Sequence, residues 1–163
     1  MVTYQFADIN GTKLHYQITG TGQPLVLIHA GITHLGMWDE QVEAFAPSYQ
    51  VIRYDVRGWG KSPCLPGDYS DHDDLWRLLE HLSVERAIIL GISNGGRIAL
   101  DFALTYPEMA DTMILVAPGL SGYEFADEAT NQTDATIETA YERGDKALAI
   151  ELETQLWVDG PQR

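Results

Sequence analysis

Three apolar runs constrain this chain more than any other feature: PLVLI at 24–28, AIILG at 87–91 and TMILVA at 112–117. None alternates polar with apolar residues as a strand with one wet face would. Each therefore reads as a strand buried on both sides. A shorter strand, QVIRYD, reads over 50–55. Helical spacing fills the gaps. Trp38, Gln41, Val42 and Phe45 share one face. Ser70 caps a helix on which Leu75, Leu78, Leu79 and Leu82 repeat at i, i+3, i+4 and i+7. Ile98, Ala99, Phe102, Ala103 and Tyr106 line a third helix, which Pro107 stops. Strands alternating with helices predict an α/β fold: a mostly parallel sheet with helices on both faces. Residues 4–9, opened by Tyr4, and 13–18 flank Asn10-Gly11, so the sheet is entered through an antiparallel hairpin. Beyond Gly119 the strand patterns cease. Residues 134–143 and 145–157 read as two helices, parted by Gly144 and stopped by Gly160-Pro161.

Charge marks the same boundary. The 163 residues carry 10 bases and 24 acids, a net of −14. Residues 1–120 hold 14 acids and 7 bases, and residues 121–163 hold 10 and 3, so each part carries −7. The expected division is a core over 1–119 and a helical segment over 120–163. The acidic balance argues against nucleic acid as a partner, because phosphates would be repelled. The apolar runs fall far short of the ~20 residues of a membrane span. No basic region followed by an apolar stretch opens the chain, so the expected compartment is the cytoplasm. Cys64 is the single cysteine, which leaves no internal disulfide framework and no cysteine zinc cluster. No histidine pair has metal spacing, so neither metal nor cofactor is expected.

The run at 87–91 leads into Gly91-Ile92-Ser93-Asn94-Gly95-Gly96 and then a helix. This is G-x-S-x-G in strand–turn–helix context. A serine on so sharp a turn projects its hydroxyl above the sheet, and the flanking glycines let strand, turn and helix approach closely. Ser93 also stands at a helix N-terminus, where free N–H groups favour developing negative charge. The Asn94 N–H is the natural first oxyanion donor. His29-Ala30-Gly31 follows the run at 24–28, at the strand end where open α/β sheets bind ligands. The Gly31 N–H is the expected second donor. Gly60-Lys61-Ser62 is not a phosphate loop, because Asp55 stands where that pattern needs glycine.

The pieces LVLIHAG, YDVRGWGKS, ILGISNGG and LVAPG resemble, in sequence and order, the α/β-hydrolase fold family of serine hydrolases. HAGITHLGMWDEQ is similar to the oxyanion-loop segment of small esterases and carbon–carbon or enol-lactone hydrolases, and LWVDGP to their cap. The resemblance covers essentially the whole chain. It implies a hydrolase acting on an ester, lactone or similar small carbonyl substrate. Ser93 resembles the nucleophile, Gly31 and Asn94 the oxyanion donors, and Asp55 and Arg57 the structural Asp-x-Arg-Gly turn. Ile32, His34, Trp38 and Ile92 are expected to line the substrate pocket, with Trp157 from the cap. The family usually has glycine where Ala30 stands, and the extra methyl is expected to narrow the pocket.

A serine nucleophile needs a base and an orienting acid, which in the family follow it in the chain. This chain has no histidine after His81 and no strand pattern after Ala117. The expectation is an N-terminal portion of a longer hydrolase, or a chain whose remainder is separate, and inactivity of the 163 residues alone. His29 reads as a structural histidine bonded to loop backbone; it and His34 are the only substitutes for the base. His15 reads as a satisfied surface or sheet residue, and His72 and His81 as residues of a solvated helix face. The strand at 112–117 carries no lysine, proline or charge to protect an edge, so a second copy or a complementing chain is expected to pair with it. Two rivals stand beside the hydrolase: a non-catalytic ligand-binding receptor on the same fold, and a half-protein needing complementation or domain swapping.

Overall fold

The computed structural model describes residues 5–123 and 128–159. Tyr4 and the Gly160-Pro161 stop lie outside the described residues. The chain divides into two compact units, with the boundary between Ser121 and Gly122.

The first unit is a six-stranded sheet. Strands β1 (Gln5–Ile9) and β2 (Thr12–Thr19) form the expected hairpin, with Asn10 and Gly11 at φ +43° and +77°. Strands β3 (Gln23–Ile28), β4 (Tyr49–Tyr54), β5 (Ala87–Ile92) and β6 (Ala110–Val116) run parallel. The order is β1-β2-β4-β3-β5-β6, with β2 antiparallel to both neighbours. Helices α1 (Asp39–Phe45), α2 (Asp71–His81) and α3 (Asn94–Thr105) connect the parallel strands.

Strand β3 shows why its sequence is apolar at every position. Val26 and Ile28 pack into the larger core layer with Leu75, Leu78 and Leu79 of α2 and Ile98, Ala99 and Phe102 of α3. Leu25 and Leu27 point the other way, onto Trp38 and Val42. Ser70 caps α2 as expected, its hydroxyl accepting from the Asp73 N–H at 3.4 Å. Trp38 does not begin an α-helix. Leu35–Trp38 forms a 3₁₀ turn and α1 starts at Asp39, yet Trp38 and Val42 still face the core.

Strand β6 departs from the expectation of two-sided burial. Met113, Ile114 and Val116 are 39%, 44% and 43% exposed. Among the described residues β6 is paired with β5 alone, at the edge of the sheet. Leu115 packs against the core layer that α3 lines, while Met113, Ile114 and Val116 stay open.

The second unit contains α4 (Glu128–Glu142) and α5 (Lys146–Thr154), followed by a π-helical turn at Gln155–Asp159. Helix α4 thus begins six residues before 134, and the last helix changes winding before 157. Ile137 and Ala140 of α4 and Ala149 of α5 are buried. Of the leucines spaced four apart along this segment, Leu152 and Leu156 are half-buried and Leu148 is 41% exposed, while Ile150 and Trp157 are each 58% exposed. Within this unit a small residue, Ala149, occupies the seam, because two helices approach more closely over a methyl group than over a leucine.

Candidate active site

Ser93 joins β5 to α3 with φ +54° and ψ −116°. A non-glycine residue holds such a conformation only where its surroundings fix it. Here they do. Its N–H donates to the Val116 carbonyl at 3.0 Å, and its own carbonyl accepts from the N–H groups of Arg97 at 3.0 Å and Gly119 at 3.1 Å. The neighbouring glycines answer to space. A Cβ on Gly91 would overlap the Gly95 carbonyl. One on Gly95 would overlap the Ile28 carbonyl and stand 2.6 Å from that of His29, and one on Gly96 would stand 2.8 Å from Pro118 Cβ. The first turn of α3 is thereby pressed against the end of β3.

That approach brings the two expected oxyanion residues together. A Cβ on Gly31 would lie 3.7 Å from Asn94 Cβ. Ile32 follows at φ +55° and 37% exposure. A β-branched residue in this region of backbone space is an outlier, and such strain gathers at ligand sites. Ala117, at φ +43° just past β6, is a third strained residue beyond the end of a parallel strand.

The other expected pocket residues of the first unit, His34, Trp38 and Ile92, fall in two separate surroundings. His34 caps the 3₁₀ turn, its Nδ1 accepting from the Gly36 N–H at 3.0 Å. It lines a cavity of about 480 Å³ with His15, Arg53, Asp55 and Lys61, and neither Ser93, Asn94 nor Ile92 contributes to that wall. Trp38 is 7% exposed and sits in the core layer beneath α1, against which Ile92 packs. Trp157 belongs to the second unit.

The histidines have fixed employment. His29 is fully buried; its Nδ1–H donates to the Ala30 carbonyl at 2.6 Å, and its Nε2 accepts from the Val56 N–H at 2.9 Å. Burial pushes its pKa down, against the opposing pull of the Ala30 carbonyl and the Asp55 charge. Both ring nitrogens are committed, so the imidazole has no lone pair for a serine proton. His15 is a sheet residue of β2 rather than a surface one. It is 2% exposed, and its Nδ1 lies 2.8 Å from Asp55 Oδ2.

Asp55 organises the loops beside the site. Burial alone would raise its pKa, but the N–H groups of Leu35 and Lys61, each at 2.8 Å, together with His15, hold it below the usual carboxylate range. A Cβ on Gly60 would overlap this carboxylate. Arg57, two residues on, is buried and binds Asp74 through Nε at 2.7 Å and Nη2 at 2.8 Å. The sequence offered no signal for Asp74 or His15 as partners, 17 and 40 residues away from theirs.

A six-stranded, mostly parallel sheet carrying a strained serine between strand and helix defines an α/β-hydrolase-type core. The chain belongs to the alpha/beta hydrolase fold family, whose profile matches residues 23–155. It is 40% identical over 124 residues to a 2-hydroxy-6-oxononadienedioate/2-hydroxy-6-oxononatrienedioate hydrolase of Burkholderia vietnamiensis, covering 69% of this chain and 43% of that protein. Among solved structures it is similar to the enol-lactonase from Burkholderia xenovorans LB400 (33% identity, TM-score 0.64, 67% of this chain and 45% of that one). It is also similar to a thermophilic esterase from Thermogutta terrifontis (27% identity, TM-score 0.75, 92% and 57%). The chain thus spans less than half the length of the Burkholderia vietnamiensis hydrolase. Among the described residues no helix is long and apolar enough to cross a membrane, and no cluster of three or more metal-ligating side chains occurs.

Proposed function

We propose that this chain is the nucleophile-bearing part of a serine hydrolase acting on an ester, lactone or related carbonyl substrate of modest size. The observation that carries the proposal is Ser93 at φ +54° on a turn walled by glycines that admit no side chain. In this proposal the Ser93 hydroxyl attacks the substrate carbonyl. The N–H groups of Asn94 and Gly31 receive the oxyanion, a contribution of about 3–4 kcal/mol for a donor of this kind. Residues 120–163 serve as part of a cap, with Trp157 toward the substrate. The related hydrolases and the enol-lactonase support a carbonyl substrate of this class.

The base and its orienting acid are supplied from outside these 163 residues. His29 has no free ring nitrogen, and His34 faces the cavity beside Asp55. A fluorophosphonate probe and an activated ester, applied to wild type and Ser93→Ala, test the proposal. Labelling confined to Ser93 is expected in the protein provided with its base. An intact fold with no labelling overturns it in favour of a ligand-binding protein on the same scaffold.

A second reading is favoured by one observation, the exposed apolar side chains on both faces of β6. In that reading β6 pairs with a strand from a complementing chain or another copy, and activity appears only in the assembly. Size-exclusion chromatography checks it. A stable monomer at all concentrations counts against it.

A further inference from the structure

The proposed oxyanion site draws on the Asn94 N–H at the start of α3, and Arg97 holds the side chain of that asparagine. Arg97 spreads its guanidinium over three acceptors. Nε donates to Asn94 Oδ1 at 3.0 Å, Nη1 to Asp101 Oδ2 at 3.2 Å and Nη2 to Asp71 Oδ2 at 2.5 Å. Asp101 is anchored in turn by the Ser121 hydroxyl, which donates to Oδ2 at 2.6 Å. Gly119 closes over the arginine stem, where a Cβ would stand 3.4 Å from Arg97 Cβ. The first turn of α2, the body of α3 and the loop after β6 therefore fix this side chain together. The arginine and both carboxylates are each less than one-third exposed, at 29%, 19% and 17%.

Asparagine in the first turn of a helix is a competitor. Its side-chain carbonyl reaches the unsatisfied N–H groups of that turn when nothing else holds it. They include the Asn94 N–H itself, the proposed oxyanion donor. A charged donor binds the carbonyl more strongly than a neutral N–H does. We propose that Arg97 is a positioning residue, which ties back the Asn94 side chain so that the Asn94 N–H stays open to a developing oxyanion. This rests on the reading of Ser93 as the nucleophile. Arg97 touches no reacting atom; it acts through Asn94.

A double-mutant cycle on the intact protein tests the inference, with kcat and KM for an activated ester as readouts. Arg97→Met is expected to lower kcat about tenfold, short of the ~100- to 1,000-fold loss seen when an oxyanion donor is removed outright, and to leave KM nearly unchanged. In an Asn94→Ala background, where no carbonyl is left to restrain, the same substitution is expected to change kcat less than about twofold. Arg97→Lys keeps a charge beside Asp71 and Asp101 but lacks the Nε fork. It is expected to retain the thermal midpoint and still lose kcat, and it carries the test if the methionine variant fails to fold. Asp71→Asn is expected to lower the thermal midpoint and spare kcat. Equal kcat losses in both backgrounds, or a rise in KM alone, overturn the role of Arg97 while leaving a reactive Ser93 in place. A wild-type protein with neither turnover nor labelling at Ser93 overturns the nucleophile reading, and this inference with it.

Discussion

Strands β3 and β6 are close to interchangeable as sequence and opposite in surroundings. Leu25, Val26, Leu27 and Ile28 are 4% exposed or less, whereas Met113, Ile114 and Val116 stand 39–44% exposed. Strand β3 lies between β4 and β5, with Trp38 and Val42 on one face and α2 and α3 on the other. Among the described residues strand β6 has a partner on one side only. An unbroken apolar run therefore reports what a strand tolerates on its two faces, and the cover itself must come from elsewhere in space.

The sharpest way to break this contrast is to place a charge in both strands. Val26→Asp buries an unpaired carboxylate and is expected to cost about 4 kcal/mol or more, enough to prevent folding of a marginal domain. Ile114→Asp is expected to cost less than about 1 kcal/mol. Urea unfolding followed by circular dichroism compares them, and equal losses would mean that β6 is covered in solution. Truncation gives a gentler version. Leu27→Ala should cost about 2–5 kcal/mol through lost burial and a residual cavity, and Met113→Ala under about 1 kcal/mol.

The strand ends extend the contrast to polar groups. Asp55→Asn turns an acceptor of two backbone N–H groups into a partial donor and is expected to cost about 1–3 kcal/mol. The pH dependence follows from the depressed carboxyl. Its stabilisation is complete above the unfolded carboxylate pKa and is lost as pH falls through the lower folded value. Asp55→Asn should remove that part of the acid transition. His29 titrates in the same sense at higher pH. Below the ordinary histidine pKa of 6.5 the unfolded chain takes up a proton that buried, neutral His29 refuses until lower pH. Stability is expected to decline over that window in wild type and more weakly in His29→Asn, as thermal midpoints measured across pH 5–8 would show. The smallest effect belongs to Met113→Lys. It should leave the unfolding midpoint within about 0.5 kcal/mol of wild type while reducing any self-association seen by light scattering.

Much of the first unit was legible in order and type. The hairpin at Asn10-Gly11, four parallel strands, the Ser70 cap and the Ser93 turn are each encoded within a few neighbouring residues. Legibility failed where two distant segments had to meet. Nothing near His34 says that it turns toward Asp55 and Lys61. Nothing near Leu148 says that Ala149 takes the helix seam. Two of the acceptors of Arg97 lie three and four residues away on its own helix, but nothing near it points to the third, Asp71, 26 residues earlier.

By itself the sequence determined the family of arrangements open to this chain. Apolar runs set which segments pair as strands, helical spacing set which faces turn inward, and glycines at 91, 95 and 96 allowed the serine turn. Those properties act through local backbone sterics and side-chain period, so they survive in one dimension. Tertiary structure decided the rest. The order β2-β4-β3-β5-β6, the two committed nitrogens of His29, the depressed Asp55 carboxyl and the exposure of β6 are properties of neighbours in space. Hydrogen-bond partners and burial depend on which groups the fold brings within a few ångströms, and no local pattern carries that information.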